Sequence, residues 1–246
     1  GKGTYYDLVD LSNRGLRGSG TLEYLTTKAV TEDIIFFPDS TKIHATDFTM
    51  DSRTSGIEFP AVKSNNIDIK WYPYEDIMYA DQTKDPFNLY NNNSRLFGSL
   101  IVQPVGLSGK GTMDLDKAQL KSNLFDFQSN SFSSDSTSFS LKSINKSDFN
   151  FITENLNGTV DFGKQEGNFK SNESFTIAQF PKNLYVSYLD KFDWSISKDE
   201  IAIESSPQID TTASEEVKKL ANLKDDDLPG ALYMSVHRSQ DYLRFF

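Results

Sequence analysis

The stretch Trp71-Tyr72-Pro73-Tyr74 has the clearest capacity for recognition. On an extended strand Tyr72 and Tyr74 share a face, about 7 Å apart at a rise of about 3.3 Å per residue, and Trp71 takes the other. Two exposed rings at that spacing could stack on a sugar. The competing assignment places Trp71 in the core, as Trp194 also reads, with Pro73 blunting an edge strand. Groups for catalysis are sparse. There are two histidines, and His44, between Ile43 and Ala45, reads as a solvent-facing or hydrogen-bonded strand residue. His237 precedes Arg238 near a turn and reads the same way. No strand-turn-helix nucleophile elbow is present, and no His/Asp spacing offers three zinc ligands. With 35 acidic residues, a chance carboxylate pair says little about glycoside hydrolysis. Asp225-Asp226-Asp227 is contiguous, whereas calcium loops alternate their ligands around a glycine, so it reads as a solvated loop. The expectation is a non-enzyme with no cofactor and no metal.

The elements that must position these residues are strands. Apolar residues alternate at Leu100/Val102, Met113/Leu115, Phe125/Phe127, Phe139/Leu141, Val160/Phe162 and Phe175/Ile177. The longest such run is Leu184, Val186, Tyr188, Phe192, Trp194 and Ile196, with parity switching to Ile201 and Ile203. Turn formers separate the runs at Ser12–Gly15, Asn155–Gly158 and Gly163–Gly167. One segment differs. Thr212-Ala213-Ser214-Glu215 is a capping box, and Val217, Leu220 and Ala221 follow at helical spacing, which predicts a short helix near 213–223.

A seven-residue frame recurs. Gly15-Leu16-Arg17-Gly18-Ser19-Gly20-Thr21 returns as Gly106-Leu107-Ser108-Gly109-Lys110-Gly111-Thr112, 91 residues later. Asp39-Ser40-Thr41, Phe59-Pro60 and Trp71 follow the first copy. Asp135-Ser136-Thr137, Phe180-Pro181 and Trp194 follow the second, at drifting offsets. This predicts one β unit written twice, over about 15–104 and 106–205, with the helix and the start of a further unit in 206–246. Gly18/Gly20 and Gly109/Gly111 lie two apart, so each pair clears one strand face for a close approach of backbone or ring; a turn with a bulge is the alternative. Phosphate binding fits poorly, because the third glycine and the strand-to-helix context are missing.

Composition supports extended sheet. Hydrophobic residues are 37%, aromatics 13%, with 19 Phe and 11 Tyr, a balance that suits sheets with wide solvated faces better than a helical core. A net charge of −10 without a Lys/Arg cluster argues against nucleic acid. Without cysteine there are no disulfides and no thiol chemistry. No apolar run has the length of a membrane helix. The first and last residues read as cut ends of a longer protein.

The glycine frame, Phe180-Pro181 and the run from Tyr185 to Trp194 resemble very long envelope β-repeat proteins of Gram-negative bacteria. The spacing of Phe132, Asp135 and Phe139 is more loosely similar to the lipopolysaccharide-transport β-jellyroll and AsmA/TamB-like families. The resemblance implies stacked units presenting an apolar inner surface to lipid, with no catalytic residue. The expectation is therefore an all-β, elongated chain of stacked or folded-over antiparallel sheets, jellyroll- or solenoid-like. It would be a structural or binding module of the periplasm or cell surface. Its partners would be neighbouring β units of the same chain, lipid or glycan, with edge-to-edge self-association. A glycan-binding or adhesion module is the alternative.

Overall fold

The computed structural model describes residues 2–198, 200–204 and 241–244; the segment expected to form a helix lies outside them. The described chain is all-β. Its strands are β1 (Gly3–Ser12), β2 (Gly15–Tyr24), β3 (Thr27–Phe36), β4 (Thr41–Met50), β5 (Val62–Ser64), β6 (Ile67–Tyr72), β7 (Ile77–Gln82), β8 (Phe87–Leu89), β9 (Ser94–Gln103) and β10 (Gly106–Leu115). They continue as β11 (Ala118–Phe127), β12 (Ser131–Lys142), β13 (Phe149–Asp161), β14 (Glu166–Ser171), β15 (Thr176–Phe180), β16 (Tyr185–Leu189), β17 (Lys191–Ser195), β18 (Glu200–Glu204) and β19 (Asp241–Arg244). The chain divides into two compact units, Gly1–Asp116 with Lys121–Ser133, and Lys117–Leu120 with Ser134–Phe246.

In the first unit every ladder is antiparallel. β1 pairs β2, β2 pairs β3, and β3 pairs β4. The far half of β4 pairs β5 and its near half pairs β6, so β5 and β6 are one strand interrupted at Asn65-Asn66. β7 and β8 are likewise one interrupted strand, bonded to β6 and β5 on one side and to β9 on the other.

The interruptions are aligned. β2 shifts register between Gly18 and Gly20, and β3 shifts between Thr31 and Ile34. Burial alternates along β3 except at Glu32-Asp33, where two exposed residues separate buried Thr31 from buried Ile34. The same buried-exposed-exposed-buried step occurs at Ala45–Phe48, Ser122–Phe125, Ser134–Thr137 and Thr153–Leu156. Each is the signature of a bulge, which bends its strand. Hydroxyls close several of them. Thr31 Oγ1 accepts from Asp33 N and donates to His44 O at 2.7 Å across to β4, and Ser122 Oγ accepts from Leu124 N and donates to Leu124 O.

Bent along this line, the sheet folds onto its own inner face. Tyr24 aligns with Met50 at one end of β4 through Thr27, while Trp71 pairs Thr41 at the other end. On a flat sheet those ends lie about 30 Å apart, yet the Tyr24 and Trp71 ring centroids are 5.5 Å apart. Thr27 Oγ1 reaches Met78 Sδ at 3.8 Å across the same interior. In the second unit Phe139 of β12 lies 6.0, 4.8 and 5.2 Å from Phe151, Phe169 and Phe192, rings carried by β13, β14 and β17. It also meets Trp194 at 5.4 Å. One ring touches three neighbouring strands because the halves of the bent sheet face each other, as in packings whose corners are made by bulges.

The pairing scheme of the first unit recurs in the second. Ile67↔Gln82 to Tyr72↔Ile77 returns as Leu156↔Ser171 to Asp161↔Glu166, shifted by 89 residues on both strands. The Met78–Asp81 ladder with β9 returns as the Gly167–Lys170 ladder with β17. β8 with β9 returns as β15 with β16. β5+β6 corresponds to the unbroken β13, and β9 to β16+β17, which is one residue shorter between matched positions, Asp190 standing where β9 has Phe97-Gly98.

This register corrects three readings from sequence. The loops do not grow, and the later anchors are not equivalent. Trp71 stands on β6 and Trp194 on β17, Phe59 lies outside the strands while Phe180 ends β15, and Asp39-Ser40-Thr41 enters β4 whereas Asp135-Ser136-Thr137 lies mid-β12. The run of even residues from 184 to 196 does not share a face: Val186 and Tyr188 are exposed, Phe192 and Trp194 are buried, because Asp190 flips the side-chain parity. Ile177 faces outward beside Tyr188, and Thr176, Ala178 and Phe180 are the buried set.

Candidate functional site

The expected aromatic platform is split by the pleat. Trp71 is core, 8% exposed and packed on Tyr24, with its indole Nε1 lacking a hydrogen-bond partner. Tyr72 faces outward and is half-buried. The ring lies 5.2 Å below Lys70 Nζ and meets Tyr79 of β7 edge-on at 6.1 Å and 87°. A hydrogen bond to Tyr72 holds the Lys70 ammonium above its usual pKa, with the nearby phenol and then Asp39 adding to the effect. Tyr74, in the β6–β7 turn, is 83% exposed. Sequence reasoning missed Tyr79, which joins the cluster only because β7 pairs Tyr79 with Lys70. Cross-strand neighbours depend on register, which alternation along a single strand does not carry.

The other candidates stay apart. His44 Nδ1 lies 2.7 Å from Asp68 Oδ1, a directly opposite cross-strand pair with both side chains more than half exposed. Nothing nucleophilic completes a relay. His237 and Asp225–Asp227 lie outside the described residues. Among the described residues, no group of three His, Cys, Asp or Glu side chains is placed to hold a metal ion. No helix there is long and apolar enough to cross a membrane. A shallow groove of about 490 Å³ runs past Glu58, Val105, Leu107, Asp126 and Phe127. Its one well-anchored charge is Glu58, which accepts from Ser129 Oγ at 2.5 Å and Ser129 N at 3.2 Å. Those two bonds lower its pKa, side-chain donor first. Such a carboxylate is a structural acceptor, tied down on both counts.

The repeated glycines are placed by the fold's hinge. A Cβ on Gly18 would meet Tyr5 Oη at 2.7 Å, Leu8 O at 2.9 Å and Phe36 at 3.1 Å. A Cβ on Gly109 would meet Ser99 O at 2.7 Å, Leu100 Cδ2 at 3.0 Å and Phe127 at 3.1 Å. Leu8 and Ser99, and Phe36 and Phe127, are themselves 91 residues apart, so both copies make the same close approach. Gly20 and Gly111 sit at φ +135° and +130°, where glycine alone is unstrained. Close packing occurs at both copies, and a register shift accompanies it at Gly18/Gly20.

Three hairpins carry equivalent apolar positions. In β9–β10 these are Leu100, Val102 and Leu107, exposed by 0%, 0% and 2%. In β17–β18 they are Phe192, Trp194 and Ile201, exposed by 0%, 1% and 0%. In β1–β2 they are Val9, Leu11 and Leu16, exposed by 48%, 78% and 43%. The frame occupies the second strand of two of them, Gly15–Thr21 in β2 and Gly106–Thr112 in β10.

No protein-family model matches the chain, and no curated protein or solved structure matches it. The recurring ladders are thus its most informative feature.

Proposed function

We propose that the chain is a non-enzymatic structural module, a stretch of a serial β array in a bacterial envelope protein, in which each repeat supplies the strand that covers the next hairpin. The observation that carries this reading is the recurrence of the junction. β7 and β8 cover β9 as β14 and β15 cover β17 and β16, with matching registers. Stability in such arrays is a sum over repeats and nearest-neighbour interfaces. The envelope setting rests on the resemblance of the glycine frame. The aromatic filling of each interior, Phe139 among four rings for instance, favours a scaffold over an internal conduit for lipid or lipopolysaccharide-like ligands.

The test is to insert a second copy of residues 94–184 between Leu184 and Tyr185, recreating a junction of the native kind. The expanded protein is expected to be soluble, with strand circular dichroism rising in proportion to length. Insolubility or loss of strand signal would overturn the reading.

A second reading, a surface glycan-binding or adhesion module, is favoured by one observation, the 83% exposed Tyr74 near the outward Tyr72–Tyr79 pair. The edge-on geometry of that pair offers one ring face rather than a flat shelf. Glycan-array signal abolished by combined Tyr72→Ala and Tyr74→Ala supports this reading; signal that survives removes it.

A further inference from the structure

We infer that the outer edge of β1 is an acceptor for an antiparallel strand of the β7–β8 pattern carried by another repeat unit of this kind. The inference deepens the proposed function and rests on it. Among the described residues β1 makes its ladder with β2 alone. Its counterparts β9 and β17 are bonded on both sides, to β10 and β18 on one, and what lies on the second side of β9 and of β16+β17 is in each case a two-piece strand, β7+β8 or β14+β15. Where that strand is present, the three equivalent apolar side chains are at most 2% exposed; on β1–β2 they are at least 43% exposed. The exposed apolar residues, and the backbone edge that has no second ladder among the described residues, thus fall where the same chain twice shows a partner. An unpaired strand edge with an apolar face is the template for strand addition, main-chain bonds giving affinity and alternate side chains giving specificity.

The internal copies also fix the register. Met78 faces Val102, Tyr79 faces Ile101, Ala80 faces Leu100 and Phe87 faces Leu96. Carried back by 91 residues, the incoming strand sets its Met78 position opposite Leu11, Tyr79 opposite Asp10, Ala80 opposite Val9 and Phe87 opposite Tyr5. Its inward residues are apolar and its outward ones polar or aromatic. A slip of one residue would point Tyr79 and Asp81 into the interior, so the alternation selects a single register.

The chain has no cysteine, so disulfide trapping reads the register without background. A synthetic peptide of residues 77–89 bearing Tyr79→Cys is mixed with full-length protein carrying Asp10→Cys, Val9→Cys or Leu11→Cys under mild oxidation. Trapping is expected at Asp10→Cys with a yield about tenfold above the two neighbours, whose side chains point to the opposite face. On unaltered protein, the unlabelled peptide is expected to slow amide exchange of residues 8–11 by about tenfold or more. A peptide variant with Ala80→Pro, which lacks one ladder donor, is expected to lose that protection. Equal trapping at all three positions together with unchanged exchange overturns the inference. So does dimerisation of the chain alone through β1, which would make a second copy the occupant. If the chain with the inserted repeat folds while the peptide fails to bind, only the acceptor edge is refuted; if that chain does not fold, the underlying reading falls with it.

Discussion

At Gly109 the repeat frame has a measurable consequence. A methyl group there would press on Ser99 O and the Phe127 ring, both held in well-packed strands. Gly109→Ala is expected to destabilise the protein by about 1–3 kcal/mol, seen as a lowered denaturant midpoint with unchanged m. Gly18→Ala meets the same kind of neighbours but in a hairpin whose outer edge is open, so its cost is expected to be smaller. Tyr24 is a second sensitive residue. Its hydroxyl donates to Asp76 O at 2.7 Å and lies 2.9 Å from Asp76 Oδ1. Burial first, then the Asp76 hydrogen bond and charge, push its pKa far above the ordinary tyrosine value. The folded state therefore favours the neutral phenol. That contribution is fully present below the unfolded tyrosine pKa of about 10 and is lost as pH climbs from there towards the folded value. Tyr24→Phe is expected to cost about 1 kcal/mol at neutral pH and to flatten the loss of stability above pH ~10, followed by denaturation at stepped pH.

The strands owe their shape to the aligned bulges. Thr31 and Ser122, 91 residues apart, each use one hydroxyl to accept the amide two residues on and to donate to a carbonyl, His44 O for Thr31 and Leu124 O for Ser122. Thr31→Val keeps the volume and leaves those backbone groups short of a partner. It is expected to cost about 1–3 kcal/mol, and Thr31→Ser to recover most of it, by thermal or chemical denaturation. The aromatic layer that the bend creates is a larger asset. Phe139 is fully buried among Phe151, Phe169, Phe192 and Trp194, so Phe139→Ala is expected to cost about 3–5 kcal/mol through lost contact and cavity. The strands themselves were legible from period two at Leu100/Val102, Met113/Leu115 and Phe125/Phe127, all buried as expected. Parity failed at Ile177 and along 184–188. The strand is one residue shorter at Asp190 than its counterpart β9, which reverses inside and outside without changing composition.

For the whole molecule, charge and the exposed apolar residues of β1 act against each other. At neutral pH the net charge of −10 keeps copies apart; near the sequence pI of about 4.7 that repulsion vanishes. Light scattering against pH is expected to peak near pH ~4.7 and to fall when Leu11→Lys charges the exposed edge. The candidate site was only half legible. Trp71 is buried, as the competing assignment from sequence had it; Tyr74 lies in the turn beyond β6 rather than on one strand face with Tyr72, and Tyr79 entered through cross-strand register. What the amino-acid sequence determined by itself was local: alternation along each strand, punctuation by turns, and the 91-residue return of the glycine frame, since each follows from side-chain periodicity and backbone freedom within a few residues. What only the tertiary structure decided was which strands the bulges bend over which, and hence that Val9, Leu11 and Leu16 stand open where Leu100, Val102 and Leu107 are covered. Burial depends on neighbours far along the chain, and identical strand patterns carry no mark of whether a neighbour is there.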